Sequence, residues 1–179
     1  MPGLDGVTMS VNLSSRQFTE SDLVAQVAAI LRQTGLPASN LKLEITESVL
    51  MADVTAAAHK LRQLKDTGVR ISMDDFGTGY SSLSYLHRFP VDTLKIDQSF
   101  VRNLGQSAEA VAIVRVILGL AQSLKMDVIA EGPETAEEVR ILRSMGCPFV
   151  QGNYFSKPLS KQAAAAALRQ AAASPAISK

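Results

Sequence analysis

Six polar side chains recur at the ends of short apolar runs along this chain: Asn12, Glu44, Asp74, Lys95, Glu131 and Gln151. One falls in each consecutive segment, and that regularity is the main sign that they act together. Asn12, Glu44, Asp74 and Glu131 are hard oxygen donors with no His or Cys among them, a set that selects Mg²⁺, Mn²⁺ or Ca²⁺ over zinc. Asp75 follows Asp74 directly, so one carboxylate can serve one ion while its neighbour reaches a second. Two ions about 3.5–4 Å apart can activate a water and steady the leaving oxygen in phosphoester hydrolysis. The competing reading is structural. A lone acid at a strand end is commonly a helix cap or a surface charge, and Lys95 can serve as a salt-bridge partner in place of a metal. Glu44 and Glu131 lie within apolar runs, where an unpaired carboxylate is costly, and one lysine cannot neutralise four carboxylates.

Residues so far apart in sequence meet only if regular elements bring them together. Short β-branched and aliphatic runs alternate with longer stretches of helical period. Val7 to Asn12 reads as a strand, followed by a helix with Leu23, Val27, Ile30 and Leu31 on one face that closes at Gly35-Leu36-Pro37. Leu41 to Thr46 is the next strand, and its helix turns Val54, Ala58, Leu61 and Leu64 inward before Gly68. Val69 to Met73, Thr93 to Asp97, Val128 to Glu131 and Phe149 to Gly152 complete the strand series. Between them come a short helix near Ser82 to His87, a long one with Ile113, Ile117, Ala121 and Leu124 buried, and one opened by a Thr135/Glu138 capping box. A last helix follows Ser160, alanine-rich from Ala163 to Ala173 and fraying beyond Pro175.

About six β-α units in series demand a parallel sheet with helices on its faces, which either a barrel or an open doubly wound sheet satisfies. In a parallel barrel the carboxyl ends of the strands converge on one face, where the six polar residues would gather. A closed barrel needs eight strands and typically ~250 residues, so the chain is expected to lack roughly two N-terminal units.

Composition narrows the class. With 179 residues, 46% hydrophobic and 20% charged, the chain can bury a core and reads as one domain. A net charge of +1 provides no field for a nucleic-acid polymer or an anionic membrane. The longest apolar stretch, Val111 to Leu120, is interrupted by Arg115 and is too short to span a bilayer. One cysteine, Cys147, excludes an internal disulfide and suits a reducing compartment, and no signal-peptide pattern opens the chain, so the cytoplasm is expected. Cys147 beside Pro148 reads as packing, and His59 and His87 as surface residues. Gly77-Thr78-Gly79 has Ser82 where a dinucleotide fingerprint needs its third glycine, so it reads as a flexible turn.

Several segments carry a resemblance. Ser10-Val11-Asn12-Leu13-Ser14, Leu43-Glu44-Ile45-Thr46-Glu47-Ser48, Asp74 to Ser82, Leu94-Lys95-Ile96-Asp97, Ala130-Glu131-Gly132 and Gln151-Gly152 resemble, in order and spacing, the motifs of the EAL-domain family. The likeness runs from about Val7 to Leu168. It implies an α/β fold, a variant TIM-like (β/α)₈ barrel, that hydrolyses cyclic di-GMP to linear pGpG with Mg²⁺ or Mn²⁺, two ions in the complete domain.

By position it makes Asn12, Glu44, Asp74 and Glu131 metal ligands, with Asp75 serving the second ion. Lys95 would orient or deprotonate the attacking water, and Gln151 would hold the hydrogen-bond network. Glu47 would anchor the loop Phe76 to Ser82, coupling it to dimer contacts, and Pro158 would lie beside a guanine base. Two departures accompany the likeness: the namesake Glu-Ala-Leu segment, with its metal-binding glutamate and a nearby phosphate-contacting arginine, would precede Met1, and Pro133 stands where an aliphatic residue is usual. The expected layout is a partial domain over 1–172 with a tail over 173–179, in a bacterial cytoplasmic protein that forms a homodimer or is fused to sensor or GGDEF-type domains. A non-catalytic cyclic di-GMP receptor, and a regulatory fragment whose exposed sheet edge pairs with a partner, are the alternatives.

Overall fold

The computed structural model describes residues 7–78 and 83–173. In chain order it comprises β1 (Met9–Asn12), α1 (Ser15–Thr19), α2 (Leu23–Thr34), β2 (Leu41–Thr46), α3 (Glu47–Ala52), α4 (Val54–Asp66), β3 (Arg70–Phe76) and α5 (Leu83–Leu86). These are followed by β4 (Thr93–Ile96), α6 (Gln98–Val101), α7 (Ala108–Leu124), β5 (Asp127–Glu131), α8 (Ala136–Ser144), β6 (Phe149–Gln151) and α9 (Lys161–Ala173). All six strands are parallel and lie in sequential order, an α/β sheet that curls as part of a barrel with β1 and β6 as its edges. The six repeat units expected from periodicity are all present.

Side-chain alternation along the strands produces the curl's two faces. Leu43, Ile45, Ile71, Met73, Leu94, Ile96, Val128 and Ala130 are buried on the face that carries the helices. There they join one core with Leu61 and Leu64 of α4 and Val114, Ile117 and Ala121 of α7. The alternate positions are mostly polar: Lys42 and Glu44 on β2, Ser72 and Asp74 on β3, Thr93 and Lys95 on β4, and Asp127 and Glu131 on β5, where Ile129 is the exception. Lys42, Glu44, Ser72, Thr93 and Lys95 are buried despite their polarity, so this face is an interior lined with polar groups. Lys42 donates to the Thr93 hydroxyl at 3.0 Å, and burial, its largest influence, lowers its pKa.

Helix starts follow local sequence. Asp53, Ser107 and Thr135 each accept a backbone N–H of the helix they open, and the Thr135/Glu138 capping box is formed in full.

Three details depart from the periodic reading. The short helices α1, α3 and α6 were not legible from it, because segments of four to six residues are too brief to show a period. β3 runs on through Asp74 and Asp75 to Phe76 rather than stopping at Met73. Ile30 is 54% exposed, because Leu23, Val27 and Leu31 follow an i, i+4 row that leaves it on the flank of α2. Met9 and Val11, on edge strand β1, are likewise exposed. The short helix expected from Ser82 begins at Leu83; Ser82 and residues 174–179 of the expected tail lie outside the described residues.

The end of the sheet opposite the polar C-terminal ends is tied by Asp92. Its carboxylate accepts the Ile71 N–H at 2.7 Å and the Lys65 ammonium at 2.6 and 2.9 Å. Its backbone donates to Ile71 and accepts from Asp127, so one residue joins the starts of β3, β4 and β5. Asp92→Ala leaves the Ile71 N–H without its partner and is expected to lower unfolding free energy by about 2 kcal/mol. Urea denaturation reads this loss, while divalent-ion binding at the far end stays unchanged.

Candidate metal centre

Lys95 is the hub of the polar interior. Its ammonium lies 2.5 Å from Glu44, 2.7 Å from Glu131 and 3.1 Å from Asp74. Neighbouring strands are about 4.8 Å apart, so Glu44 on β2 and Lys95 on β4 meet across two strand spacings, their long side chains converging over β3. Lys95 is 3% exposed. It fills the salt-bridge role of the structural reading, and Asp75 feels its charge without forming an ion pair among the described residues.

Adjacent residues on a regular strand point to opposite faces, so Asp74 and Asp75 should diverge. The β3–β4 register shifts between Met73 and Phe76, and Asp75 takes a left-handed backbone with φ of 54°. Aspartate tolerates that conformation better than most residues. The Asp75 N–H turns onto the Asp74 carboxylate at 3.0 Å. As a result carboxylate oxygens of Asp74, Asp75 and Glu131 all lie within 4.8 Å of one another. Two oxygens on one hard cation are separated by at most about 4.2–5.2 Å, twice the metal–oxygen distance. The donor set therefore fits a divalent ion.

Electrostatics favours such an ion. Burial, followed by Asp74 and then Asp97, raises the Asp75 pKa. Burial also raises the Glu131 pKa, against the lowering influence of Lys95, with Asp74 and Glu44 adding to the rise. For Lys95 burial favours the neutral amine, but hydrogen bonds to Glu131 and Glu44 outweigh it and its pKa ends above the ordinary lysine value.

The other expected site residues surround this group at varying distance. Asn12 is exposed at the end of β1, in register with Glu44. Glu47, buried at the start of α3, accepts the Gly77 N–H at 3.1 Å. The rest of the loop it was expected to anchor, 79–82, lies outside the described residues. Gln151 is in register with Glu131, and its carbonyl accepts the Gly132 N–H at 2.8 Å.

Beside the carboxylates opens a cleft of about 680 Å³, with Asp75, Glu131, Gln151 and Pro158 on its wall. Asp97, Arg102, Phe155 and Lys157 also line it and were not singled out as site residues in the sequence. Asp97 ends a segment that periodicity did mark, whereas the other three sit beyond strand ends on stretches with no repeating signal. A side chain on Gly152 would meet the Pro133 carbonyl at 2.5 Å, so the backbone after β6 packs directly on Pro133. Pro133 is buried there and its carbonyl accepts the Tyr154 N–H at 3.0 Å. Cys147 is half-buried, its thiol donates to the Phe149 carbonyl, and burial raises its pKa, so it is a packed thiol outside this cleft. His59 and His87 are exposed. Among the described residues no helix is long and apolar enough to cross a membrane.

A model of the EAL domain matches residues 3–158. The chain is 41% identical over 159 residues to the cyclic di-GMP phosphodiesterase NbdA of Pseudomonas aeruginosa, covering 89% of this chain and 20% of that protein. Among solved structures, the EAL domain of Mycobacterium smegmatis DcpA superposes with a TM-score of 0.88 at 39% identity, covering 93% of this chain and 75% of the other. The manganese and cyclic di-GMP complex of Klebsiella pneumoniae BlrP1 gives 0.81 at 33% identity, covering 87% and 40%. The chain spans about a fifth of the length of the curated relatives it matches.

Lys95→Met removes the cation from a buried carboxylate, Glu44, and two partly buried ones, Asp74 and Glu131, with an expected loss of about 3 kcal/mol at pH 7.5. Carboxyls whose folded pKa is raised favour the fold when protonated, and that contribution is lost as pH rises. The loss should therefore shrink as pH falls toward 5. Chemical denaturation at the two pH values checks this, together with a Tm increase on adding Mg²⁺ that is larger in the variant than in the parent.

Proposed function

The chain belongs to the EAL domain family, and on that premise we propose that it is a metal-dependent phosphodiesterase domain that hydrolyses cyclic di-GMP to linear pGpG with Mg²⁺ or Mn²⁺. The observation that carries this reading is the meeting of Asp74, Asp75 and Glu131 oxygens within 4.8 Å at the side of an open cleft. At about 680 Å³ the cleft falls in the range of small-ligand sites. The names of the similar phosphodiesterase and of the manganese complex support the choice of substrate and ion.

In this reading Asn12, Glu44, Asp74 and Glu131 hold one ion and Asp75 reaches a second. The chemistry such ions supply when bound is Lewis-acid polarisation of the phosphoryl oxygen and activation of water. The protein's own groups do the rest. Lys95, whose pKa is raised, keeps its proton and orients water and anionic oxygens by donation. Gln151 completes the hydrogen-bond network, Pro158 packs against a guanine, and Glu47 fixes the start of the loop that follows β3. Attachment to sensor or GGDEF-type domains belongs to the same reading, supported by the greater length of the relatives.

The test is incubation with cyclic di-GMP and Mg²⁺ or Mn²⁺, with binding and pGpG formation measured separately. Product is expected from the complete domain, and binding without product would make the domain a receptor instead. Asp74→Ala and Glu131→Ala should each lower turnover by more than about 100-fold, since even outer-shell partners of metal ligands reach that range. Cys147→Ser, outside the cleft, should leave turnover within about twofold, consistent with a substitution away from the site. Full turnover in the Asp74 variant would sink the metal assignment.

A further inference from the structure

Charge is divided unevenly around the cleft. Asp75, Asp97 and Glu131 lie on the carboxylate side, while Arg102 and Lys157 also line it. Lys95 is buried and engaged with three carboxylates, and among the described residues the cations on the cleft lining are Arg102 and Lys157. On the proposed function, the substrate carries two phosphodiesters. Only one can react at the carboxylate group at a time. The other keeps its negative charge and loses water on entering the cleft, so it needs a cation there.

Arg102 has the right chemistry and the right restraint. It closes α6, its backbone N–H bonded to the Gln98 carbonyl at 3.0 Å and the preceding Val101 fully buried. The base of the side chain is thus fixed by the fold. Its guanidinium meets Glu134 at 3.0 Å, with the two side chains 51% and 50% exposed. An exposed pair of this kind contributes at most about 1 kcal/mol, so it gives way easily to a better anion. A guanidinium fork matches two phosphate oxygens at once, whereas here it meets a single oxygen of Glu134.

We propose that Arg102 is a specificity residue that exchanges Glu134 for the second, non-scissile phosphodiester of cyclic di-GMP. Glu134 acts as a competing anion that holds the guanidinium in place and is displaced on binding. Discrimination between a cyclic dinucleotide and a ligand with one phosphodiester then resides in this exchange and not at the ion centre. The inference rests on the proposed function of the same cleft.

The experiment is calorimetric titration of the full chain with Ca²⁺, which oxygen donors of this kind bind and which replaces the Mg²⁺ or Mn²⁺ of the proposed reaction, using cyclic di-GMP and, as the probe with two guanines and one phosphodiester, guanylyl-(3′→5′)-guanosine. Chromatography alongside ensures that only intact ligand is counted. Arg102→Ala is expected to weaken cyclic di-GMP binding by about tenfold, the scale of one charge-assisted hydrogen bond. Binding of the single-diester probe should stay within twofold. Glu134→Gln removes the competitor and should tighten cyclic di-GMP severalfold, a gain that a misfolded variant cannot produce. Equal weakening of both ligands by Arg102→Ala, or no change in either, overturns the assignment while leaving the phosphodiesterase reading standing. A parent chain that binds neither ligand removes both.

Discussion

A single buried ammonium organises this protein's functional end. Lys95 draws together carboxylates from β2, β3 and β5, three strands that parallel pairing alone would keep side by side without convergence. Those carboxylates could not be crowded into a largely buried space without a compensating cation, because each would lose hydration and repel the others. The lysine supplies part of that compensation, and Asp75 feels its charge without being ion-paired to it. The same group is therefore both a structural tie and an unfinished one, with net negative charge facing the cleft.

The concave polar interior depends on an opposite arrangement behind it. Strands β2 to β5 turn their other face to helices through Leu43, Ile45, Ile71, Met73, Leu94, Ile96 and Val128, and that apolar layer is the centre of the core. Because burial of the outer face sets the register, the polar set has no freedom to slip: a one-residue shift would place Glu44 and Lys95 among leucines. Stability and site geometry are in this sense one constraint. The Asp92 junction fixes the starts of β3, β4 and β5, while their ends carry the chemistry. This division matches the general rule that the N-terminal face of such barrels holds the fold and the C-terminal face hosts the site.

Local irregularity completes the site where regular structure would fail. Two consecutive aspartates on an ordinary strand serve opposite faces, and the register shift after Met73 with the left-handed Asp75 brings both into one group. Close approach of the chain after β6 to Pro133, allowed by Gly152, sets the loop that contributes Phe155, Lys157 and Pro158 to the cleft. Both devices are short and depend on neighbours distant in sequence.

The sequence by itself determined the six-unit α/β alternation, the long helices, the Thr135/Glu138 cap, and the identity of the residues at strand ends, because these follow from local periodicity and local hydrogen bonding. Asn12, Glu44, Asp74, Lys95, Glu131 and Gln151 could be picked out one per repeat for that reason. Tertiary structure decided what those residues do to one another. That Lys95 binds three carboxylates at once, that Asp75 turns inward, and that Arg102 and Lys157 share a wall with Glu131 are all consequences of sheet curvature and loop packing. Curvature and packing are set by contacts between segments tens of residues apart, and no window of sequence contains both partners of such a contact.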